Sequence, residues 1–170
     1  MTTTRNVWAA LAAAALLIVT LLAAVTAEAR DPRQSGEGTG MITGFEQSIV
    51  RDVGGNSHEV RVVEGIVTGS LTGSFRQETT GTVHTNHPDN LVTFRGVLVF
   101  TGTIEGCGPG EHTIVLGLSG RGTVPDPGFP LTEAKVRAIN QPANTLAIIG
   151  TGTVTQEGPF LSYEVTYRCP

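Results

Sequence analysis

From Met41 to Arg168 the chain alternates apolar and polar positions with a period of two, as strands do when one face turns to a core. The clearest run is Leu131 to Ile139. Glu133, Lys135 and Arg137 share one face, and Ala134, Val136 and Ala138 share the other. Phe160 to Arg168 follows the same rule. Leu161, Tyr163, Val165 and Tyr167 lie opposite Ser162, Glu164, Thr166 and Arg168. In Leu71 to His84, a face holding Leu71, Phe75 and Val83 opposes one built from Thr, Ser, Arg and Glu. Eight runs follow from this pattern, over about 41–51, 58–70, 71–84, 91–105, 111–122, 131–139, 147–156 and 160–168.

Turn formers separate most of these runs. They include Gly54-Gly55-Asn56, His87 to Asn90, Gly106 to Gly110, Pro125 to Gly128, Gln141 to Asn144 and Glu157-Gly158-Pro159. Short strands at regular spacing, with no strong helical period, predict an antiparallel sandwich or barrel. Glycines inside the runs, such as Gly65, Gly73, Gly96, Gly102, Gly120 and Gly152, suit the sharp bends of a barrel. The expected fold is all-β, a closed antiparallel eight-stranded barrel.

The N-terminus follows a different pattern. Val7 to Val25 is a 19-residue stretch with no charge, glycine or proline, and Arg5 precedes it. Ala27-Glu28-Ala29 then supplies a small-residue cleavage site. Residues 1–29 are therefore read as a helical secretory signal peptide, 30–40 as a flexible lead-in rich in glycine, and 41–170 as the barrel domain. An uncleaved membrane anchor is the competing reading, because the stretch approaches the length of a span. The membrane would then be met only through this segment. Export places the protein in a secreted or cell-envelope setting.

The chain has 170 residues and a net charge of −4, without a basic cluster, which argues against nucleic acid as a partner. Only Cys107 and Cys169 are present, 62 residues apart. In an oxidising compartment a structural disulfide is expected over two free thiols. Closing so long a loop contributes about 3–4 kcal/mol in the chain-entropy model. It requires the Gly106–Gly110 turn and the end of the last strand to share one end of the barrel, with Cα atoms within about 7 Å.

Several strand signatures carry a resemblance. Thr93-Phe94-Arg95-Gly96, Phe100 to Gly106, Val67 to Gly73, Ile114 to Gly120 and Asn144 to Val154 resemble a family of small bacterial barrels of unknown function. That family is similar to the allene oxide cyclase and dirigent barrels, which are calycin-like. The resemblance covers about Thr39 to Arg168 and implies the eight-stranded fold. It also allows a homo-oligomer, because such barrels often assemble. Family members usually carry a Glu-Arg pair in the strand matching Leu98-Val99, a His near Leu118 and an aromatic-acid pair near Glu46. Those sites are mostly apolar or altered here, so no catalytic residue is carried over.

The residues themselves contain no nucleophile elbow, phosphate loop or His-Glu-x-x-His motif. No catalytic residue, metal or cofactor is assigned. His84, His87 and Asp89 imitate a metal set, but Pro88, Asp89 and Asn90 make a polar loop the better reading. Glu64 shares a strand face with Val60, Val62 and Ile66, so an inward face would bury a carboxylate suited to anchor a ligand. The alternative is that the opposite face is inner, or that Glu64 sits at a rim beside an arginine. Phe94 and Phe100 belong to an apolar stripe with Leu98 and Ile104, His112 stands at a strand start, and Tyr163 and Tyr167 offer hydroxyls. Together with Glu64 these form the candidate ligand-binding set, and core packing is the alternative for each. Two functions follow. One is an exported barrel that binds a small hydrophobic ligand or serves a structural, cell-envelope role. The other is a cyclase- or isomerase-type enzyme acting on an apolar substrate, which rests on fold analogy.

Overall fold

A computed structural model describes residues 32–87, 89–124 and 130–169. The leader at 1–29 lies outside the described residues. The chain forms eight strands in sequence: β1 (Gln34–Val53), β2 (Asn56–Gly69), β3 (Leu71–His84), β4 (Leu91–Ile104), β5 (His112–Thr123), β6 (Leu131–Ala138), β7 (Ile149–Glu157) and β8 (Phe160–Arg168). Each strand pairs antiparallel with the next, and β8 closes on β1 to complete the barrel. The all-β, eight-stranded architecture expected from the alternation is what the chain adopts.

Closure is sheared. The ladder can be followed from Val53 through Asn56, His84, Leu91, Thr123, Leu131, Glu157 and Phe160. It returns to β1 at Met41, twelve residues from where it began. Such a stagger is what lets strands tilt and a sheet close. Its consequence falls on β1, which has 20 residues. β2 pairs with β1 from Gly38 to Val53, whereas β8 reaches only Gln34 to Met41. The rest of β1 stands above the rim as a flange, paired with β2 alone among the described residues.

The turns follow their chemistry. Gly54 and Gly55 both have positive φ (62° and 77°) and join Val53 to Asn56 in the two-residue hairpin that glycine pairs favour. Because β6 has only 8 residues, the segment after it runs along β5 instead. Ile139 N–H donates to the Val115 carbonyl at 3.0 Å, and Val115 N–H donates to Asn144 Oδ1 at 2.9 Å. This explains why Val115 is buried although its face is the outer one.

The described part of the stretch 30–40, residues 32–40, departs from the flexible lead-in expected of it. β1 already begins at Gln34, so the domain starts before Met41. The glycines there are a packing requirement. At Gly38 an added Cβ would run into the Thr68 carbonyl and the Tyr163 phenol. Only glycine lets the first strand pass that close to the ring.

At the base, Leu71, Phe100, Ile104, Ile114, Tyr163 and Tyr167 pack into one buried cluster with both cysteines. Cys107, in the β4–β5 turn, is disulfide-bonded to Cys169, just past β8, with Cα atoms 5.4 Å apart. The bond spans strands that are not neighbours, so it ties the last strand across the base. Reduction is expected to remove about 3–4 kcal/mol of stability. Denaturant midpoints of the oxidised and reduced protein measure this, and equal midpoints would show that the base holds without the staple.

Candidate functional site

The barrel interior is the natural place for a ligand. Its walls come from alternate residues of every strand. They include Val63 and Val67 of β2, Phe75 of β3, Phe94, Leu98 and Phe100 of β4, Leu116 and Leu118 of β5, and Val136 of β6. These side chains meet across the axis and leave a cavity of about 90 Å³. An apolar cavity of about 150 Å³ holds one benzene. Phe94 and Phe100 line the remaining space, and Phe100 is among the most deeply buried side chains.

Both tyrosines point inward, but their hydroxyls are engaged. Tyr163 Oη accepts from the Leu71 N–H at 2.8 Å. Its own hydrogen faces the Leu71 and Thr68 carbonyls at 3.0 and 3.2 Å. Tyr167 Oη donates to the Glu105 carbonyl at 2.8 Å. Each tyrosine therefore runs from β8 to a turn elsewhere on the base, the β2–β3 turn for Tyr163 and the β4–β5 turn for Tyr167. Burial raises both phenol pKa values, and the nearby Glu105 charge adds to the rise. For Tyr163 the Leu71 backbone bond pulls the other way, more weakly than burial.

Glu64 lies on the outside of the barrel. Its carboxylate pairs with Arg76 of the neighbouring strand, and half of its side chain is exposed. A guest in the interior does not reach it. The inner face of β2 is the odd-numbered one, with Ser57, Glu59, Arg61, Val63 and Val67. There the structure holds a carboxylate that sequence reasoning passed over. Glu59 is 6 % exposed. It accepts from Arg61 Nε at 2.7 Å, with Arg61 Nη2 at 2.5 Å. Arg61 is the signal that identifies this inner pair, standing two residues from Glu59 on the same side of a strand.

The cavity's other polar neighbours lie toward the rim, where Gln77, Thr132 and Gln156 face inward. Thr132 Oγ1 donates to Gln156 Oε1 at 3.2 Å, and Gln156 Nε2 donates to the Gly158 carbonyl at 2.8 Å. His112 opens β5 opposite Gly102, half-buried, with its Nε2 buried and unpartnered. The structure thus brings Phe94, Phe100 and Tyr163 to one interior, with Tyr167 packed beneath them, and leaves Glu64 outside. His84 bonds Asn56 through Nδ1 at 2.6 Å, and Asp89 N–H donates to His87 Nδ1 at 3.4 Å. Among the described residues no group of three metal-binding side chains comes together.

These features define a closed up-and-down barrel with a largely filled, apolar interior and a base locked by β8. Neither a protein-family model nor any curated protein matches this sequence.

The locks carry a testable pH dependence. Tyr163→Phe leaves the buried Leu71 N–H without its acceptor and is expected to cost about 1–3 kcal/mol. Below the ordinary phenol pKa of 10.0 both states are protonated, and the tyrosine contribution is whole. Above it the unfolded chain ionises first, so stability falls as pH rises toward the higher folded values. Tyr163→Phe with Tyr167→Phe should flatten that alkaline slope in denaturant titrations. An unchanged slope would show that the phenols do not titrate with unfolding.

Proposed function

We propose that this chain is an exported, cell-envelope or secreted β-barrel with a structural role, whose interior serves stability and whose outer surfaces do the work. One observation carries this reading. The central cavity measures about 90 Å³ and a smaller one beside Tyr167 about 30 Å³, whereas pockets for small molecules usually measure about 300–1,000 Å³. The hydroxyls of Tyr163 and Tyr167 are bound to backbone carbonyls, and Glu64 faces solvent beside Arg76. Among the candidates named above only His112 keeps a buried, unpartnered ring nitrogen, and it stands at the start of β5 outside the lining of the central cavity. This favours the structural role over the cyclase or isomerase alternative and limits any hydrophobic guest to a few heavy atoms.

Export is supported by the apolar stretch Val7 to Val25 followed by Ala27-Glu28-Ala29. The Cys107–Cys169 bond accords with an oxidising compartment. The kinship with allene oxide cyclase-like barrels is part of the same proposal and rests on the glycine- and threonine-rich strand signatures.

Native mass spectrometry of the protein recovered from export tests the reading. The expected mass is that of the disulfide-bonded chain from about Arg30, with no retained small molecule. A lipid or other guest that stays bound and raises the melting temperature would overturn the filled-barrel reading and restore ligand binding.

A further inference from the structure

The flange of β1 has a free edge. Pairing with β8 ends at Met41, and Ile42 N–H is taken by the Pro159 carbonyl at 2.8 Å. From Thr43 to Val53 that side of β1 has no strand beside it among the described residues. A bare edge is a template for another strand. This one also carries apolar side chains without cover, with Phe45 55 % and Ile49 62 % exposed.

A reversed copy of the flange sets complementary side chains along its free edge. Its free edge runs from Thr43 to Val53, and Ser48 stands at the midpoint. β1 is bulged at Val50, between Ile49 and Arg51. Counting the bulged pair as one position, an antiparallel copy related by a two-fold axis at Ser48 sets Gly44 opposite Val53. It also sets Phe45 opposite Asp52, Glu46 opposite Arg51 and Gln47 opposite Ile49. The bulge puts Glu46 and Arg51 on the same, outer face, beside Val62 and His58 of β2. Each would meet the opposite charge on the second copy, twice per pair. Neither has an ion-pair partner in its own chain among the described residues.

The ends fit as well. The second copy's Gly54–Gly55 turn would fall beside Ile42, where Pro159 closes the ladder. Its Val53 would then approach an outer apolar row in which Ile66, Met41 and Phe160 stand opposite one another on β2, β1 and β8. All three are exposed in the single chain, Phe160 at 64 %.

We infer that this protein forms a two-fold homodimer by antiparallel pairing of its β1 flanges, registered on Ser48 by reciprocal Glu46–Arg51 ion pairs. The dimer joins the two barrels through one continuous sheet and covers the edge that shear exposes. Opposite charges set directly across a strand pair favour this register, and like charges oppose it.

Sedimentation of the disulfide-bonded protein across a dilution series tests the inference. The natural chain should run as a dimer. Glu46→Arg and Arg51→Glu should each weaken dimerisation by roughly tenfold or more, because each sets like charges opposite one another twice. Mixing the two single variants should restore a heterodimer, since each then supplies what the other lacks. The double variant, with both charges exchanged, should dimerise by itself. A natural chain that stays monomeric overturns the proposal, as does a dimer indifferent to the single substitutions. The recovery on mixing also shows that the single variants are folded.

Discussion

Closing this sheet makes one strand serve two neighbours of unequal length. β8 has nine residues and β1 has 20, and a stagger of twelve residues separates the two ends of the ladder. The first eight residues of β1 therefore seal the barrel, and the remainder rises beyond it. The base has to hold that seam. Two tyrosines and a disulfide do so from a single strand: Tyr163 reaches the β2–β3 turn, Tyr167 the β4–β5 turn, and Cys169 the turn containing Cys107. Their partners lie across the base rather than on adjacent strands, so β8 cannot peel away without breaking contacts on the far side. The glycines of early β1 belong to the same arrangement, since Gly38 makes room for the Tyr163 phenol.

The same packing sets what the interior can do. Aromatic and branched side chains from β3, β4, β5 and β8 meet across the axis, and several of the polar groups among them are paired with one another. Glu59 is held by Arg61, and Gln156 by Thr132 and its own turn. A buried ion pair contributes little net stability, because desolvation offsets the attraction. Its position is informative nonetheless. Glu59 and Arg61 lie opposite Ile49 and Gln47 of the flange, where β1 has lost β8 and the barrel no longer closes around its inner face.

Much of this was legible in the sequence. Period two located all eight strands, and turn residues separated most of them. The inner faces of β4, β5, β6 and β8 followed from their apolar stripes. The cysteine pairing followed from there being only two cysteines. The inner face of β2 did not follow. Its outer positions, Val60, Val62 and Ile66, are more apolar than its inner ones, because the inner face carries Glu59 and Arg61. A strand whose buried side holds an ion pair reverses the usual pattern, so the alternation left open whether Glu64 points inward. The start of β1 was hidden for another reason. Gly36, Gly38 and Gly40 read as a linker by composition, yet they are in the strand because side chains would collide there. Sequence pattern records hydrophobicity and turn chemistry; close approach between distant segments leaves only a glycine behind.

The flange raises a question of design that its side chains answer. Exposed edges invite unwanted pairing, and proteins commonly blunt them with bulges and charges. β1 has both, with irregularities at Thr43 and Val50 and the charges Glu46, Arg51 and Asp52. Against an arbitrary strand these features are obstacles, because few sequences place a cation and an anion at the required spacing across a bulge. Against a reversed copy of the same strand they become matching contacts, since the two-fold axis sets every Glu46 beside an Arg51. One set of residues can thus exclude foreign strands and admit the chain's own. Blunting alone would not require Phe45 and Ile49 to remain apolar on the flange. Cover by a second copy gives those side chains a reason to be there.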